Sequence, residues 1–178
     1  MVKKIKIFRN FEINNSYKKS VILIGNFDGL HLGHQKLFNE AKKHKKKYKL
    51  KIGVVTFDPI PKMFFNKKII NYRISNFNQK IINLKSLGVD FLINKNFNKK
   101  FSKINCHNFI NKIIFKKLNP KYIFVSDNFR FGNNREGDLR LLEKYQSICN
   151  YKLINPKPLK KNNRIISSTY IRKLLQNG

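Results

Sequence analysis

A pair of histidines near the N-terminus is the first candidate for chemistry in this sequence. His31 and His34 flank Gly33 and follow a short apolar run, residues 21–24. Side chains three apart at the start of a helix lie on the same side of it. Helix N-termini attract anions, and the glycine lets a phosphate come close to the backbone. The pattern therefore predicts a polyphosphate site in which two imidazoles stabilise growing charge.

Two other interpretations of the histidine pair are a zinc site and simple packing. A zinc site needs further ligands at suitable spacing. The remaining histidines, His44 and His107, lie in ordinary helical surroundings. Because the pair also flanks a glycine directly after a predicted strand, we favour phosphate binding over both alternatives.

A second group of polar residues lies at 166–172, with the sequence ISSTYIR. One hydroxyl is enough to cap a helix that begins here. Three hydroxyls, from Ser167, Ser168 and Thr169, can also bind phosphate oxygens, and Arg172 adds positive charge one turn further on. The segment therefore predicts a second phosphate-binding element.

The net charge of +30, from 39 basic and 9 acidic residues, is extreme for 178 residues. Such a charge is typical of proteins that bind nucleic acids or phosphates. However, lysine, asparagine, isoleucine and phenylalanine, all encoded by A- and T-rich codons, are over-represented together, and the basic residues spread along the whole chain. We attribute the charge mainly to a drift of the genome towards A+T, so nucleic acid is not favoured as a partner.

The other bulk properties indicate a cytoplasmic globular protein. The length fits one domain with its own core, and no apolar run approaches the length of a membrane helix. No apolar segment follows the basic N-terminus, so a signal peptide is not expected. Cys106 and Cys149 match no metal spacing and indicate a reducing compartment.

Strand-like and helix-like segments alternate along the chain. This alternation predicts an α/β fold with a parallel sheet and helices on both faces. The predicted strands are residues 21–24, 51–57, 91–93 and 122–125. Five helices are predicted. The first begins after the histidine turn, the second begins at Ser75 or Asn76 with Gly88 at its end, and the third begins near Phe109 and ends at Asn119-Pro120. The last two span residues 138–149 and about 168–175.

Three unusual loops follow predicted strands. They are the Gly/His/Asp-rich turn at 25–34, Asp58-Pro59-Ile60-Pro61, and residues 126–132. Ligands of open parallel sheets bind beyond the carboxyl ends of the strands, at the topological switch point. The sequence therefore predicts a binding site that these loops share.

Four blocks, in order, carry a family resemblance. They are GNFDGLHLGH (25–34), TFDPIP (56–61), NFRFG with the following Gly137-Asp138 (128–138), and ISSTYIR (166–172). Together they resemble the bacterial FAD synthetase family, the FMN adenylyltransferase half of the bifunctional riboflavin kinase/FAD synthetases. The resemblance covers roughly residues 20 to 178.

The resemblance implies a Rossmann-like nucleotidylyltransferase fold and an in-line attack of the FMN phosphate on the α-phosphate of ATP. It implies assistance by Mg²⁺, with ligands that the sequence does not identify, and no covalent enzyme intermediate. It also implies roles for residues that match the family's blocks. The catalytic residues would be His31, His34 and Arg172. The ATP-binding residues would be Gly25, Asn26, Phe27, Asp28, Gly29, Gly33, Ser167, Ser168 and Thr169. The flavin-binding residues, near the flavin or the ATP, would be Pro59, Pro61, Asn128 and Arg130.

Three departures from the family pattern bear on these expectations. Ile60 stands where the family usually has histidine, and Ser126 stands where glycine is usual, so that it is expected to crowd the backbone. The chain also ends at Gly178, directly after the adenylyltransferase blocks. We therefore expect one domain, 1–178, that performs only adenylyl transfer, or else a fragment. The alternatives are a nucleotidylyltransferase with another phosphorylated acceptor, and a non-catalytic basic protein that binds nucleic acid.

Overall fold

The fold is built on a six-stranded, all-parallel sheet. The computed structural model describes residues 4–69, 72–161 and 164–176. The strands are β1 (Lys6–Phe8), β2 (Val21–Ile24), β3 (Ile52–Asp58), β4 (Phe91–Asn96), β5 (Tyr122–Phe124) and β6 (Lys152–Ile154). Their spatial order is β1-β4-β3-β2-β5-β6. The chain leaves β2 towards β3 and β4 and later returns to the other side with β5, so the switch point lies between β2 and β5.

Helices connect the strands. They are α1 (Leu32–Tyr48), α2 (Pro61–Phe65), α3 (Phe77–Ser86), α4 (Lys99–Ser102), α5 (Cys106–Asn108), which continues into a π-helix (Phe109–Leu118), α6 (Leu139–Lys144), α7 (Gln146–Cys149) and α8 (Ser168–Gln176). Short 3₁₀ turns lie at Asn15–Tyr17 and Asn133–Arg135, and β7 (Lys160–Lys161) pairs with β8 (Arg164–Ile165) in an antiparallel hairpin.

Alternate residues of β2 face two separate apolar layers. Val21 and Leu23 pack into the layer that contains Phe38 of α1 and Leu84 of α3. Ile22 and Ile24 pack into the layer that contains the π-helix and α6. Because successive side chains of a strand point to opposite faces, helices cover both faces of the sheet. The predicted α/β architecture is confirmed.

Local signals explain where the helices begin and end. Asn76 caps α3 in a capping box with Gln79, and Gly88 lies beyond its end with φ +74°. Asn119 ends the π-helix in the left-handed region, and its N–H donates to the carbonyl of Ile114, five residues back. Among the described residues, no helix has both the length and the apolar character that a membrane span requires.

Some predicted elements differ from the structure. The single helix predicted over 138–149 is wrong, because the Tyr145 N–H donates to the carbonyl of Leu142 in a tight turn that ends α6 before α7 begins. The sequence patterns also missed β1 and β6, the two edge strands. Both are only three residues long and begin with an exposed lysine, so neither has the long apolar pattern on which the prediction rested.

Candidate active site

A cleft of about 1080 Å³ opens at the carboxyl edge of β3, β2 and β5. It is bounded by the loops that follow these three strands and by the start of α8. Most of the residues predicted for the site line this cleft: Gly25, Asn26, Phe27, Asp28, His31, Gly33, His34, Pro61, Asn128, Arg130, Ser167, Ser168, Thr169 and Arg172. The loops that the sequence placed at one edge of the sheet therefore do meet there.

Gly29 and Pro59 are outside this set of lining residues. Gly29 borders a smaller hollow beside Ile74 and Ser75, and its N–H donates to the Ser75 hydroxyl at 3.3 Å. Its φ is +78°, and a Cβ there would lie 2.7 Å from the Ile74 side chain. The turn therefore requires glycine at position 29. Pro59 follows Asp58 through a cis peptide bond and lies two residues before the start of α2.

The two histidine rings stack on each other at the start of α1. Their centroids are 3.8 Å apart with an interplanar angle of 23°. The Nδ1 atoms of His31 and His34 are both buried, and neither has a hydrogen-bond partner among the described residues. Buried polar atoms are normally paired, so two adjacent unpaired ring nitrogens distinguish this pair from histidines that serve only in packing.

The tautomer of His31 follows from its contact with Ser168. The single hydroxyl proton of Ser168 is donated to the carbonyl of Asp28 at 3.1 Å. The Ser168 oxygen therefore accepts in its 3.2 Å contact with His31 Nε2. A neutral His31 thus carries its proton on Nε2, and this N–H points at the first turn of α8.

Both imidazoles have a lowered pKa. Burial lowers the pKa of His34 from 6.5 to about 3, with a further lowering by the neighbouring His31, Lys80 and Arg172. Burial also lowers the pKa of His31, with a further lowering by Arg172 and an opposing effect of Asp28. The histidine pair is therefore neutral at physiological pH and offers N–H donors rather than a general acid.

Arg172 is held from two sides. Its Nη2 donates to the buried carboxylate of Asp28 at 2.7 Å. On the other side, its Nε and Nη1 donate to the carbonyl and the hydroxyl of Tyr72, and its guanidinium carbon lies 3.8 Å from the centre of the Tyr72 ring. Of the five N–H donors of a guanidinium, these contacts use three, so two are left for a ligand.

Asp28 lines the cleft and also has a structural role. Its carboxylate is 1% exposed and also accepts from the backbone N–H groups of Ile74 and Ser75. These contacts fill its acceptor sites from within the protein. Asp28 ties the histidine turn to α8 and to the segment that carries Tyr72.

The three hydroxyls at the start of α8 have separate partners. Ser167 caps the helix by accepting from the Tyr170 N–H at 3.2 Å, which is the ordinary structural role. Ser168 bridges His31 and the carbonyl of Asp28. Thr169 is exposed and lines the cleft. Capping therefore accounts for one of the three hydroxyls.

Gly33 owes its size to packing. A Cβ at this position would lie 2.8 Å from the carbonyl oxygen of Ile166. That distance is a clash with backbone, which cannot move aside as a side chain can. Besides the room that it is expected to leave for a phosphate, Gly33 therefore lets α1 approach the segment between β8 and α8.

The two single-residue departures have different consequences. Ile60 is buried, precedes α2 and lines the cleft, so an apolar side chain takes the place of a ring with polar nitrogens. Ser126 does not adopt a left-handed backbone. Its hydroxyl donates to Asn128 Oδ1 at 3.0 Å. The φ of Ser126 therefore does not require a glycine at this position.

The loop after β5 closes on itself through the NFRFG…GD block. Phe131 and Gly137 exchange backbone hydrogen bonds in both directions. Asp138 then caps α6 by accepting from the Leu141 N–H. The block therefore fixes the shape of this side of the cleft, and Arg130 remains exposed within it.

Aromatic rings form the other wall of the cleft, and none of these rings was among the predicted site residues. Phe97 contacts the rings of Phe57, Phe65 and Phe101 edge-on, at 5.9, 5.8 and 5.7 Å. Phe65 is 70% exposed although it is a large apolar side chain. Further rings on the same wall are Phe109, Phe129 and Phe131. Such a wall suits a flat apolar ligand.

A divalent metal fits this site only together with a ligand. The described residues contain no group of three or more His, Cys, Asp or Glu side chains that could hold a metal ion. Mg²⁺ is commonly bound by one or two carboxylates, with substrate phosphates and water completing its shell. Asp127 is an exposed carboxylate that lines the cleft, whereas Asp28 is already paired with Arg172.

Comparison with known proteins shows the family of this chain. The family model described as FAD synthetase matches residues 13–170. This chain belongs to the FAD synthetase family. A relative from Buchnera aphidicola subsp. Acyrthosiphon pisum is 43% identical over 164 residues, covering 92% of this chain and 51% of the relative. One from Escherichia coli K12 is 33% identical over 155 residues, covering 87% and 50%. Both are described as bifunctional riboflavin kinase/FMN adenylyltransferases.

The chain thus spans about half the length of the curated relatives it matches. Among solved structures, a Streptococcus pneumoniae protein described as a macrolide-efflux protein superposes with a TM-score of 0.80 at 29% identity. The match covers 94% of this chain and 54% of that one. The nucleotidylyltransferase-like α/β fold expected from the sequence is therefore confirmed.

Proposed function

We propose that this chain transfers the AMP part of ATP to FMN, giving FAD and pyrophosphate. The observation that carries the proposal is the composition of one cleft. Its floor holds two neutral imidazoles and the Arg172 guanidinium, and its wall holds phenylalanine rings. A polyphosphate suits the first surface and an isoalloxazine ring suits the second. FMN adenylylation needs both at one place.

The polyphosphate of ATP would lie against α1 and α8. His31 and His34 donate N–H groups, and Arg172 has two donors left after its contacts with Asp28 and Tyr72. The Thr169 hydroxyl and the N–H groups at the start of α8 add further donors. A phosphate oxygen placed beside His31 would accept the Nε2–H in place of Ser168 Oγ, which now lies 3.2 Å from that nitrogen. The Gly25–Gly29 turn would lie beside the nucleotide.

The reaction requires little covalent chemistry from the protein. An oxygen of the FMN phosphate attacks the α-phosphorus of ATP, a P–O bond forms to FMN, and the P–O bond to pyrophosphate breaks. Both phosphate nucleophile and leaving group are already ionised at neutral pH, so no proton must be removed. Catalysis then rests on orientation and on donors aimed at the charge that builds up on the phosphates.

Mg²⁺ would be bound mainly by the ATP phosphates, with Asp127 as the protein carboxylate within reach of the cleft. Its charge, when bound, would offset the charge of the pyrophosphate group. The protein's own contribution is the fixed set of neutral imidazoles and the clamped arginine. Because the Asp28 carboxylate is paired with Arg172, we do not assign it as a ligand of the metal.

The flavin would lie against the aromatic wall. Phe65 and Phe97 present ring surface to the cleft, and Pro61 begins the short helix that carries Phe65. Asn128 and Arg130 lie on the loop that also carries Phe129 and Phe131, and they would contact polar edges of the flavin or its phosphate. A small acceptor such as pantetheine phosphate, nicotinamide mononucleotide or a polyol phosphate would leave most of this apolar surface exposed, which disfavours it.

An acceptor competition tests the proposal. The purified protein is incubated with ATP, Mg²⁺ and equal concentrations of FMN and the three smaller acceptors, and products are separated by chromatography. The proposal expects FAD as the main adenylylated product. Preferential adenylylation of a smaller acceptor would contradict the proposal and favour a nucleotidylyltransferase with another phosphorylated acceptor.

We also propose that the protein works in the cytoplasm, since its two buried cysteines are free thiols.

A further inference from the structure

Lys80 is a buried cation next to the site. It lies on α3, is 8% exposed, and shares the inner face of that helix with Leu84. Its Nζ donates to the carbonyl oxygen of Asn26 at 2.9 Å. Burying an ammonium group costs free energy unless the charge is both paired and hydrogen-bonded. The Asn26 carbonyl is neutral, so Lys80 carries a desolvation cost that a methionine of similar length would not have.

The carbonyl of Asn26 receives a second buried donor. The hydroxyl of Thr56, fully buried in β3, donates to the same oxygen at 3.1 Å. A carbonyl has two lone pairs, so α3 and β3 together fill both of them. Asn26 lies two residues after the end of β2, and its carbonyl is held by side chains from two other elements.

The turn that this carbonyl anchors is held in an unusual conformation. Phe27 and Leu30 have φ values of +45° and +38°, which residues with a side chain rarely adopt. Such conformations persist only where the surroundings determine them strongly. The turn ends at His31, the N-cap of α1. Its shape therefore sets where the histidine pair stands relative to Arg172 and α8.

We propose that Lys80 is a positioning residue for adenylyl transfer: with Thr56 it fixes the Asn26 carbonyl, and so holds the turn that presents His31 and His34 to the phosphates. The inference rests on the proposed function. The charged groups near the Lys80 ammonium are Asp28, Arg73 and Asp58, and its charge also acts on His34. Lys80 does not line the cleft, so a direct contact with substrate is not part of the proposal.

The test is Lys80→Met, with Lys85→Met as the matched control on an exposed position of the same helix. Lys80→Met removes the desolvation cost of a buried ammonium group but also removes one of the two hydrogen bonds to the Asn26 carbonyl, and these two effects on stability have opposite signs. We therefore expect the thermal midpoint of Lys80→Met to stay close to that of the wild type. We expect kcat to fall by about 10- to 100-fold, as displacements of about 1 Å do in enzymes. The KM for ATP should change by less than about threefold, because ground-state contacts remain.

Amide hydrogen exchange supplies a readout that does not depend on turnover. Residues 25–31 should exchange faster in Lys80→Met than in Lys85→Met, while the strands β3 and β4 keep their protection. Thr56→Val, which removes the other donor to the same carbonyl, should shift exchange and kcat in the same direction. This second variant keeps the inference testable should Lys80→Met fold poorly.

The outcomes separate the inference from the proposed function. A wild-type protein that forms no FAD contradicts the proposed function, and hydrogen exchange alone then decides whether Lys80 holds the turn. An active wild type with unchanged kcat in Lys80→Met overturns the positioning role. Equal exchange of residues 25–31 in Lys80→Met and Lys85→Met overturns it as well.

Discussion

The carboxylate of Asp28 and the guanidinium of Arg172 form an ion pair with 2.7 Å between Oδ2 and Nη2. The two residues are 144 positions apart in the chain. Their side chains are only 1% and 14% exposed. The pair therefore joins the histidine turn at one end of the sequence to α8 at the other, and it orients the arginine towards the cleft.

Asp28→Asn is expected to lower the free energy of unfolding by about 3–5 kcal/mol, because removing one partner of a buried pair leaves the other charge uncompensated. Urea unfolding followed by circular dichroism measures this change. Glu40→Gln breaks the exposed Lys43–Glu40 pair on α1 and should cost less than about 1 kcal/mol. Similar losses for the two variants would contradict the structural role of Asp28.

Substitutions at Tyr72 separate the ring from the hydroxyl. Tyr72→Phe keeps the ring under Arg172 and loses one acceptor, so we expect a small increase in the KM for ATP. Tyr72→Ala also removes the cation–π contact, worth about 0.5–2 kcal/mol, and should raise that KM by about 2- to 30-fold. Steady-state kinetics with ATP varied at saturating FMN measures both. An unchanged KM in Tyr72→Ala would show that Arg172 does not depend on this contact.

The lowered pKa of His34 predicts that the stability of the folded protein depends on pH. Its pKa falls from 6.5 to about 3 on folding, so between these values the unfolded chain binds a proton that the folded chain does not. Stability is therefore complete above pH 6.5 and decreases as the pH falls towards 3, by at most about 1.4 kcal/mol per pH unit.

The variant His34→Gln tests this dependence by urea unfolding at pH 7, 6, 5 and 4. It should show a shallower loss of stability with falling pH than the wild type. The remaining slope comes partly from His31, whose pKa is also lowered. Arg172 and Lys80 also face His34 and contribute to the lowering of its pKa. Identical slopes for wild type and His34→Gln would refute the assignment.

The aromatic wall predicts a selective effect on the flavin substrate. Phe97→Leu should raise the KM for FMN by about 3- to 10-fold, since an aromatic contact contributes about 0.5–1.5 kcal/mol beyond its area. The KM for ATP should stay the same. Phe115→Leu changes a ring that is 40% exposed and lies outside the cleft, so it serves as the control. Equal effects on both substrates would show that the wall does not bind the flavin.

Much of the fold was predictable because its signals are local. The buried runs at Val21–Ile24 and Ile52–Asp58, the capping box at Asn76 and Gly88 beyond the end of α3 all depend on a few consecutive residues. The loops after β2, β3 and β5 could be assigned to one site because parallel strands end at the same edge. Local signals of this kind predict which residues lie at the cleft.

The contacts between these residues were not predictable from the sequence. Asp28 was expected to line a nucleotide pocket, and only the tertiary structure shows that Arg172 occupies its carboxylate. Tyr72 and Phe97 belong to no block that the sequence analysis identified. Lys80 did leave a signal: it falls on the helix face of Phe77, Ile81 and Leu84, where a lysine is out of place.

The most direct test of the account is the fate of the α-phosphate. The purified protein is incubated with FMN, Mg²⁺ and ATP labelled at the α-phosphate, beside the variant His31→Ala. We predict that the label appears in FAD with one pyrophosphate released for each FAD formed. His31→Ala should be slower by about 100- to 1000-fold while remaining folded, as expected for loss of one donor to a charged transition state. Label that stays in ATP, with folded wild-type protein and FMN in excess, would contradict the proposed function.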